Sequence, residues 1–120
     1  MNYQIVPLSH EAFTGINLVL KDEEMNVLGG ITGEIKTPSL AYIHHLWIDE
    51  AHRNKDLGTR LLQAFEKTAH RQGCRQVETD TFEYQAPIFY EKNGYVCYEI
   101  LADNTTPYRR LYYRKEIFPI

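Results

Sequence analysis

Residues Trp47 to Leu62 read WIDEAHRNKDLGTRLL. An apolar stretch ends in Asp49 and Glu50, a short loop gathers Arg53 and Lys55, and a helical pattern opens around Gly58. Two physical readings fit a basic loop between a strand and a helix. A helix start carries unpaired N–H groups and a partial positive charge, so it binds anions. A preceding loop that turns its own N–H groups inward, with glycine for close approach and lysine or arginine nearby, holds a phosphate. The other reading is an ordinary solvated turn, and the stretch taken alone fits both.

The flanks place this loop in a fold. Upstream, LAYIHHLWI over Leu40–Ile48 is nearly continuous in apolar character, the pattern of a central strand covered on both faces. Downstream, Leu57, Leu61, Phe65 and Ala69 recur at spacing four, with Leu62 and Ala64 widening the stripe, and Gly73 closes the helix. RQVETD makes a short strand around Val77. QAPIFYEKN makes a second helix, with Pro87 in its first turn and Gly94 after its end. YVCYEIL and YRRLYYRKEI are the last two strands, joined by a loop over Asp103–Pro107.

On the N-terminal side, GINLVLK and NVLGGITGEI flank the polar turn KDEEMN as a hairpin, and Tyr3–Leu8 is a short first strand. Gly29 and Gly30 inside the second arm predict a bulge or a close backbone approach. The order is strands, helix, strand, helix, two strands. Strand–helix–strand units in mid-chain imply a parallel pair flanked by antiparallel strands. The expected fold is a single α+β domain over residues 1–120: a mixed, mostly antiparallel twisted sheet with a central parallel pair and flanking helices.

The chain has 120 residues, 43% apolar and 24% charged, which suits one domain with a real core. A net charge of −3 gives no basic field for nucleic acid. No apolar run reaches the length of a membrane span, and MNYQIVPLSHE does not read as a secretory signal. Cys74 and Cys97 are too few and too far apart for a disulfide framework or a zinc site, so both are expected reduced, in a cytoplasmic protein, with no metal. The charges at Arg109, Arg110, Arg114 and Lys115 read as a solvated strand face.

Two blocks resemble the GNAT acetyltransferase superfamily. Its signature is Arg or Gln, two residues, Gly, one residue, then Gly or Ala, between a central strand and a helix. Arg53 and Gly58 match it, Leu61 and Leu62 match the apolar residues after it, and LWID resembles the strand end before it. QAPIFYEKNGY, residues 85–95, resembles the family's later helix, where an aromatic–Tyr pair precedes a Gly–aromatic pair. The similarity spans about residues 26–117. The chain departs from the pattern twice. Asp56 stands where the first family glycine belongs, and too few residues precede Gly15 for the two helices that usually follow the first strand. Aspartate tolerates the left-handed backbone such a turn needs. Its charge would repel a phosphate by about 0.8 kcal/mol at about 5 Å in water.

The resemblance implies acetyl transfer from acetyl-coenzyme A to a primary amine, on a small molecule or peptide, by direct attack in a ternary complex. It implies that Leu46, Trp47 and Ile48 pair by their backbone with the pantetheine arm where two strands splay apart. It implies that Arg53, Asn54, Lys55, Asp56, Leu57, Gly58 and Thr59 hold the pyrophosphate, and that Tyr90 is the acid for the departing thiolate. Glu34 and His45, on strands beside the expected acceptor side, are the candidate bases. His44 and His45 are neighbours on a strand and are expected to face opposite ways. The apolar tail Phe118-Pro119-Ile120 offers a surface for a homodimer. The alternative is a coenzyme A-binding or scaffold domain of the same fold without catalysis, motivated by Asp56 and the short N-terminal part.

Overall fold

A computed structural model describes residues 2–8, 15–102 and 104–117. The tail at 118–120 and the expectation attached to it lie outside the described residues. Seven strands form one sheet: β1 (Gln4–Pro7), β2 (Gly15–Lys21), β3 (Val27–Thr37), β4 (Leu40–Ile48), β5 (Gln76–Phe82), β6 (Val96–Ala102) and β7 (Arg109–Glu116). Helix α1 (Leu57–Arg71) follows β4 after a short 3-10 turn at Glu50–His52, and α2 (Pro87–Lys92) follows β5. The spatial order is β1-β2-β3-β4-β5-β7-β6, with β4 and β5 parallel and every other pair antiparallel. The expected α+β architecture with a central parallel pair is what forms.

Sequence rules explain the helix ends. Gly73 (φ 97°) and Gly94 (φ 90°) take the left-handed conformation that glycine adopts without strain. At the end of α1 the Cys74 N–H donates to Ala69 O and the Gly73 N–H to His70 O. At the end of α2 the Tyr95 N–H donates to Tyr90 O and the Gly94 N–H to Glu91 O. Both ends are therefore Schellman caps, and the residue after each glycine, Cys74 or Tyr95, is buried against the core.

Both helices cover one face of the sheet. Leu57, Leu61, Leu62, Phe65 and Ala69 of α1 pack on Ile16, Leu18 and Leu20 of β2, Ile31 of β3, Ile43 of β4 and Val77 of β5. Tyr90 of α2 and Tyr95 join Tyr113 of β7 in the same core. On the other face stand Thr32, Glu34, Tyr42, Glu78, Asp80, Phe82, Arg110, Tyr112 and Arg114. β4 departs here from its expectation: it is central, but His44, His45 and Trp47 are exposed, so its two faces differ. The terminal basic residues also depart from theirs. Rather than a freely solvated face, Arg109 pairs with Glu83, Arg110 with Asp80, Arg114 with Glu78, and Lys115 with Glu66 of α1.

A bulge changes the phase of β4. The β3–β4 register steps from Thr32↔His45 to Gly33↔Ile43, which leaves His44 as an extra residue. A Cβ on Gly33 would run into the Tyr42 carbonyl and the Phe65 ring, so glycine lets the strands close at this point. His44 contacts Glu34 and His45 contacts Thr32. Those partners are two residues apart on one face of β3, so both histidines lie on the helix-free face. The expected opposition of His44 and His45 does not hold, because strict alternation ends at a bulge. The close approach expected at Gly29 and Gly30 is present: a Cβ on Gly29 would lie 2.7 Å from Trp47 O, and one on Gly30 3.1 Å from the Trp47 indole nitrogen.

Candidate active site

The parallel pair β4–β5 holds together over only four residue pairs, from Leu40↔Gln76 to Ile43↔Thr79. Beyond Thr79, β5 continues along β7 while β4 continues along β3, so the two strands fork. The Thr79 hydroxyl closes the base of the fork by donating to Ile43 O at 3.1 Å. Past that point the β5-facing backbone of Leu46, Trp47 and Ile48 has no strand partner among the described residues, and such groups need one.

A groove of about 830 Å³ opens from the fork. Leu46, Trp47 and Ile48 line one side, Arg53, Asn54, Asp56, Leu57, Gly58 and Thr59 the floor, and Tyr90 with its α2 neighbours the other side. Nine of the ten residues expected to bind the coenzyme thus share one groove with the expected acid; Lys55 is exposed beside it. The loop is built by two non-glycine residues in left-handed conformation, Asn54 (φ 65°) and Asp56 (φ 60°). Asp56 is the N-cap of α1, and its side chain makes no capping bond. Its exposed carboxylate leaves the first-turn N–H groups of α1 uncovered. The Arg53 Nε donates to Ile48 O at 3.0 Å, tying the loop to the end of β4.

Sequence reasoning missed several lining residues: His52, Gln85, Ala86, Ile88, Phe89, Lys92 and Asn93. Asn93 donates from Nδ2 to Phe89 O at 2.9 Å and to the Thr59 hydroxyl at 3.3 Å, fastening α2 to the first turn of α1. A Cβ on Gly58 would lie 3.3 Å from the Phe89 ring, so the signature glycine also sets how near the two walls stand. For all but His52 the signal lay in the second matching block, whose helix faces the loop.

Tyr90 is 5% exposed, its ring edge-on to Phe89 and Tyr95. Burial pushes its phenol above the usual value; a hydrogen bond with Thr79 opposes the shift, and the charge on Asp80 adds to it. The group is therefore protonated throughout the neutral range and able to donate. Tyr42 bonds Asp80 from the helix-free face, and burial with that bond drives its phenol upward as well. Glu34 and His45 lie on that same face, outside the groove. Among the described residues no cluster of three His, Cys, Asp or Glu side chains is placed to hold a metal ion, and no helix is long and apolar enough to cross a membrane.

A model of the GNAT acetyltransferase domain matches residues 14–97. The blasticidin-S acetyltransferase of Streptomyces morookaense is 34% identical over 61% of this chain and 54% of its own length. The acetyltransferase Atu2258 of Agrobacterium fabrum is 29% identical over 67% of this chain and 58% of its own. The chain thus spans little more than half the length of these curated relatives. The crystal structure of an acetyltransferase from Bacillus cereus superposes with TM-score 0.76 at 35% identity, covering 85% of this chain and 72% of that one. An acetyl-CoA-bound acetyltransferase from Elizabethkingia anophelis gives TM-score 0.81 over 96% and 98% of the two chains; at 13% identity the likeness is one of fold.

Proposed function

The chain belongs to the GNAT acetyltransferase family, and on that premise we propose that it moves acetyl from acetyl-CoA to a primary amine of a small molecule or peptide by direct attack. The observation that carries this is the fork of β4 from β5 opening onto the left-handed loop and α1. The backbone of Leu46, Trp47 and Ile48 would pair with the amides of the pantetheine arm. The turn from Arg53 to Thr59 and the N-terminus of α1 would hold the pyrophosphate through N–H groups and charge. The acetyl thioester would then lie at the base of the fork, within reach of Tyr90.

The amine must be neutral to attack, the carbonyl oxygen stabilised, and the thiolate protonated as it leaves. Tyr90 supplies that last proton. The base lies on the helix-free face, where Glu34 and His45 stand, so acceptor and coenzyme approach the fork from opposite sides. Titration calorimetry with acetyl-CoA and free CoA is the first test. Micromolar binding supports the reading, whereas none up to millimolar leaves the fold as a scaffold. A protein that binds but acetylates no amine is the coenzyme-binding alternative.

Two substitutions probe the parts. Tyr90→Phe should lower kcat by about 10²-fold with nearly unchanged acetyl-CoA affinity; unchanged turnover would remove Tyr90 as the acid. Asp56→Gly should tighten CoA binding by at most about 1 kcal/mol, the scale of a solvated charge pair. Equal or weaker binding would mean that the carboxylate points away from the phosphates.

A further inference from the structure

The bulge places His44, the first β4 residue beyond the last β4–β5 pair, on the helix-free face beside Glu34. We propose that His44 is the general base that deprotonates the acceptor amine, with Glu34 as its positioning residue. This assignment rests on the acetyl-transfer reading above.

Place is the first argument. Thr79 acts on the Tyr90 phenol, and the Thr79 hydroxyl donates to Ile43 O, the carbonyl of the peptide leading into His44. One threonine side chain and one peptide unit thus separate the acid on the helix face from the imidazole on the other. An amine entering from the helix-free side meets His44 before it reaches a thioester at the fork.

Chemistry is the second. His44 Nε2 lies 3.0 Å from Glu34 Oε1. A carboxylate only accepts, so Nε2 carries the hydrogen and Nδ1 the lone pair. The ring also packs against Tyr42, with centroids 5.5 Å apart. A histidine oriented by a carboxylate is a recurring base in catalysis, and an imidazole titrates nearer neutrality than a carboxylate does. The other two candidates are less well arranged. Glu34 is engaged by His44 and lies 3.9 Å from Lys36. The contact of His45 is with the Thr32 hydroxyl at 3.4 Å, a group that both donates and accepts and so does not fix a tautomer. The charged and titratable groups facing His44 are Glu34 and Lys36 of β3 and Tyr42 and His45 of β4; beyond Tyr42 stand Asp80 of β5 and Arg110 and Tyr112 of β7.

In the step, the ammonium gives one proton to Nδ1 of His44. The freed lone pair forms the C–N bond to the acetyl carbonyl. The C–S bond breaks with its electrons on sulfur, which takes the Tyr90 proton. The second proton shed by nitrogen as the amide forms returns to the phenolate, and His44 releases its own to solvent.

The test begins with calorimetry of acetyl-CoA on wild type, His44→Gln and Glu34→Gln. All three should bind alike; no binding by wild type sinks the acetyl-transfer reading itself. With benzylamine and spermidine as probe amines, wild-type kcat/KM should rise with pH through one ionisation. His44→Gln should remove that limb and lower kcat by about 10²-fold. Glu34→Gln should keep the limb and lower kcat less than His44→Gln does, because the imidazole stays but loses the carboxylate that orients it, and the limb should persist in His45→Gln. A limb that survives His44→Gln, or disappears in His45→Gln, overturns the assignment while leaving acetyl transfer intact. Nitrogen NMR of the His44 ring needs no acceptor. The neutral ring should carry its hydrogen on Nε2, and a hydrogen on Nδ1 instead overturns the dyad even where neither amine is acetylated.

Discussion

The two faces of this sheet are held by different forces. On the helix-covered face, Leu20, Ile31, Leu61, Leu62, Phe65 and Val77 are fully buried, and cohesion comes from removing apolar surface from water. The other face carries two copies of one polar arrangement. Asp80 takes a bond from Tyr42 and an ion pair from Arg110. Glu78 takes a bond from Tyr98 at 3.1 Å and pairs with Arg114 at 2.6 Å. The guanidinium of each arginine also lies 4.5 Å from a ring centroid, Arg110 on Phe82 and Arg114 on Tyr98. A sheet face without a helix over it can thus be ordered by mutually satisfied polar groups while staying accessible to a ligand.

If that division is right, damage should scale with face. Phe65→Ala should cost about 3–5 kcal/mol, because a fully buried ring leaves a cavity between α1 and β3. Urea denaturation would show it, and a loss under 1 kcal/mol would mean the helix-covered face is not the main support. Glu78→Ala should cost less, about 1–3 kcal/mol, as the Tyr98 hydroxyl and Arg114 lose their acceptor. A cost equal to that of Phe65→Ala would erase the distinction. Glu83→Gln should have the smallest effect, and one that depends on pH. The Arg109 backbone N–H and guanidinium hold the Glu83 carboxyl below its ordinary 4.5. A depressed folded value contributes stability above the unfolded value and loses it as pH falls through the folded one. Melts between pH 3 and 6 should therefore show a shallower acid loss in Glu83→Gln, with no difference at pH 7 beyond the lost pair.

What the sequence made legible follows the same division. The helix-covered face depends on local periodicity: the four-residue spacing of α1 and the glycines at 73 and 94 are visible in the chain and predict its elements. The groove was legible through two motifs that each sit within one strand–loop–helix unit. The bulge was not, because it depends on the register of Gly33 against Ile43, ten residues away. Nor were the carboxylate–arginine pairs, whose members are 30 residues apart at Asp80–Arg110 and 36 at Glu78–Arg114. Read alone, YRRLYYRKEI sets basic pairs on either side of Leu111, Tyr112 and Tyr113 like a solvated strand, and only the placing of β7 against β5 gives Arg110 and Arg114 their partners Asp80 and Glu78.

The fork also gives the sheet an internal edge. Unpaired strand backbone is normally a hazard at the margin of a sheet, where another chain can add to it and seed aggregation. Here the open backbone of β4 lies in mid-sheet, across the groove from α2 and above the Arg53–Thr59 loop. A flexible, narrow ligand can thread between those walls, whereas a second sheet cannot. The outer margin is different: β6 exposes Val96, Ile100 and Leu101. The exposed edge and the open backbone are therefore separate features of this sheet, the first at β6 and the second at the fork.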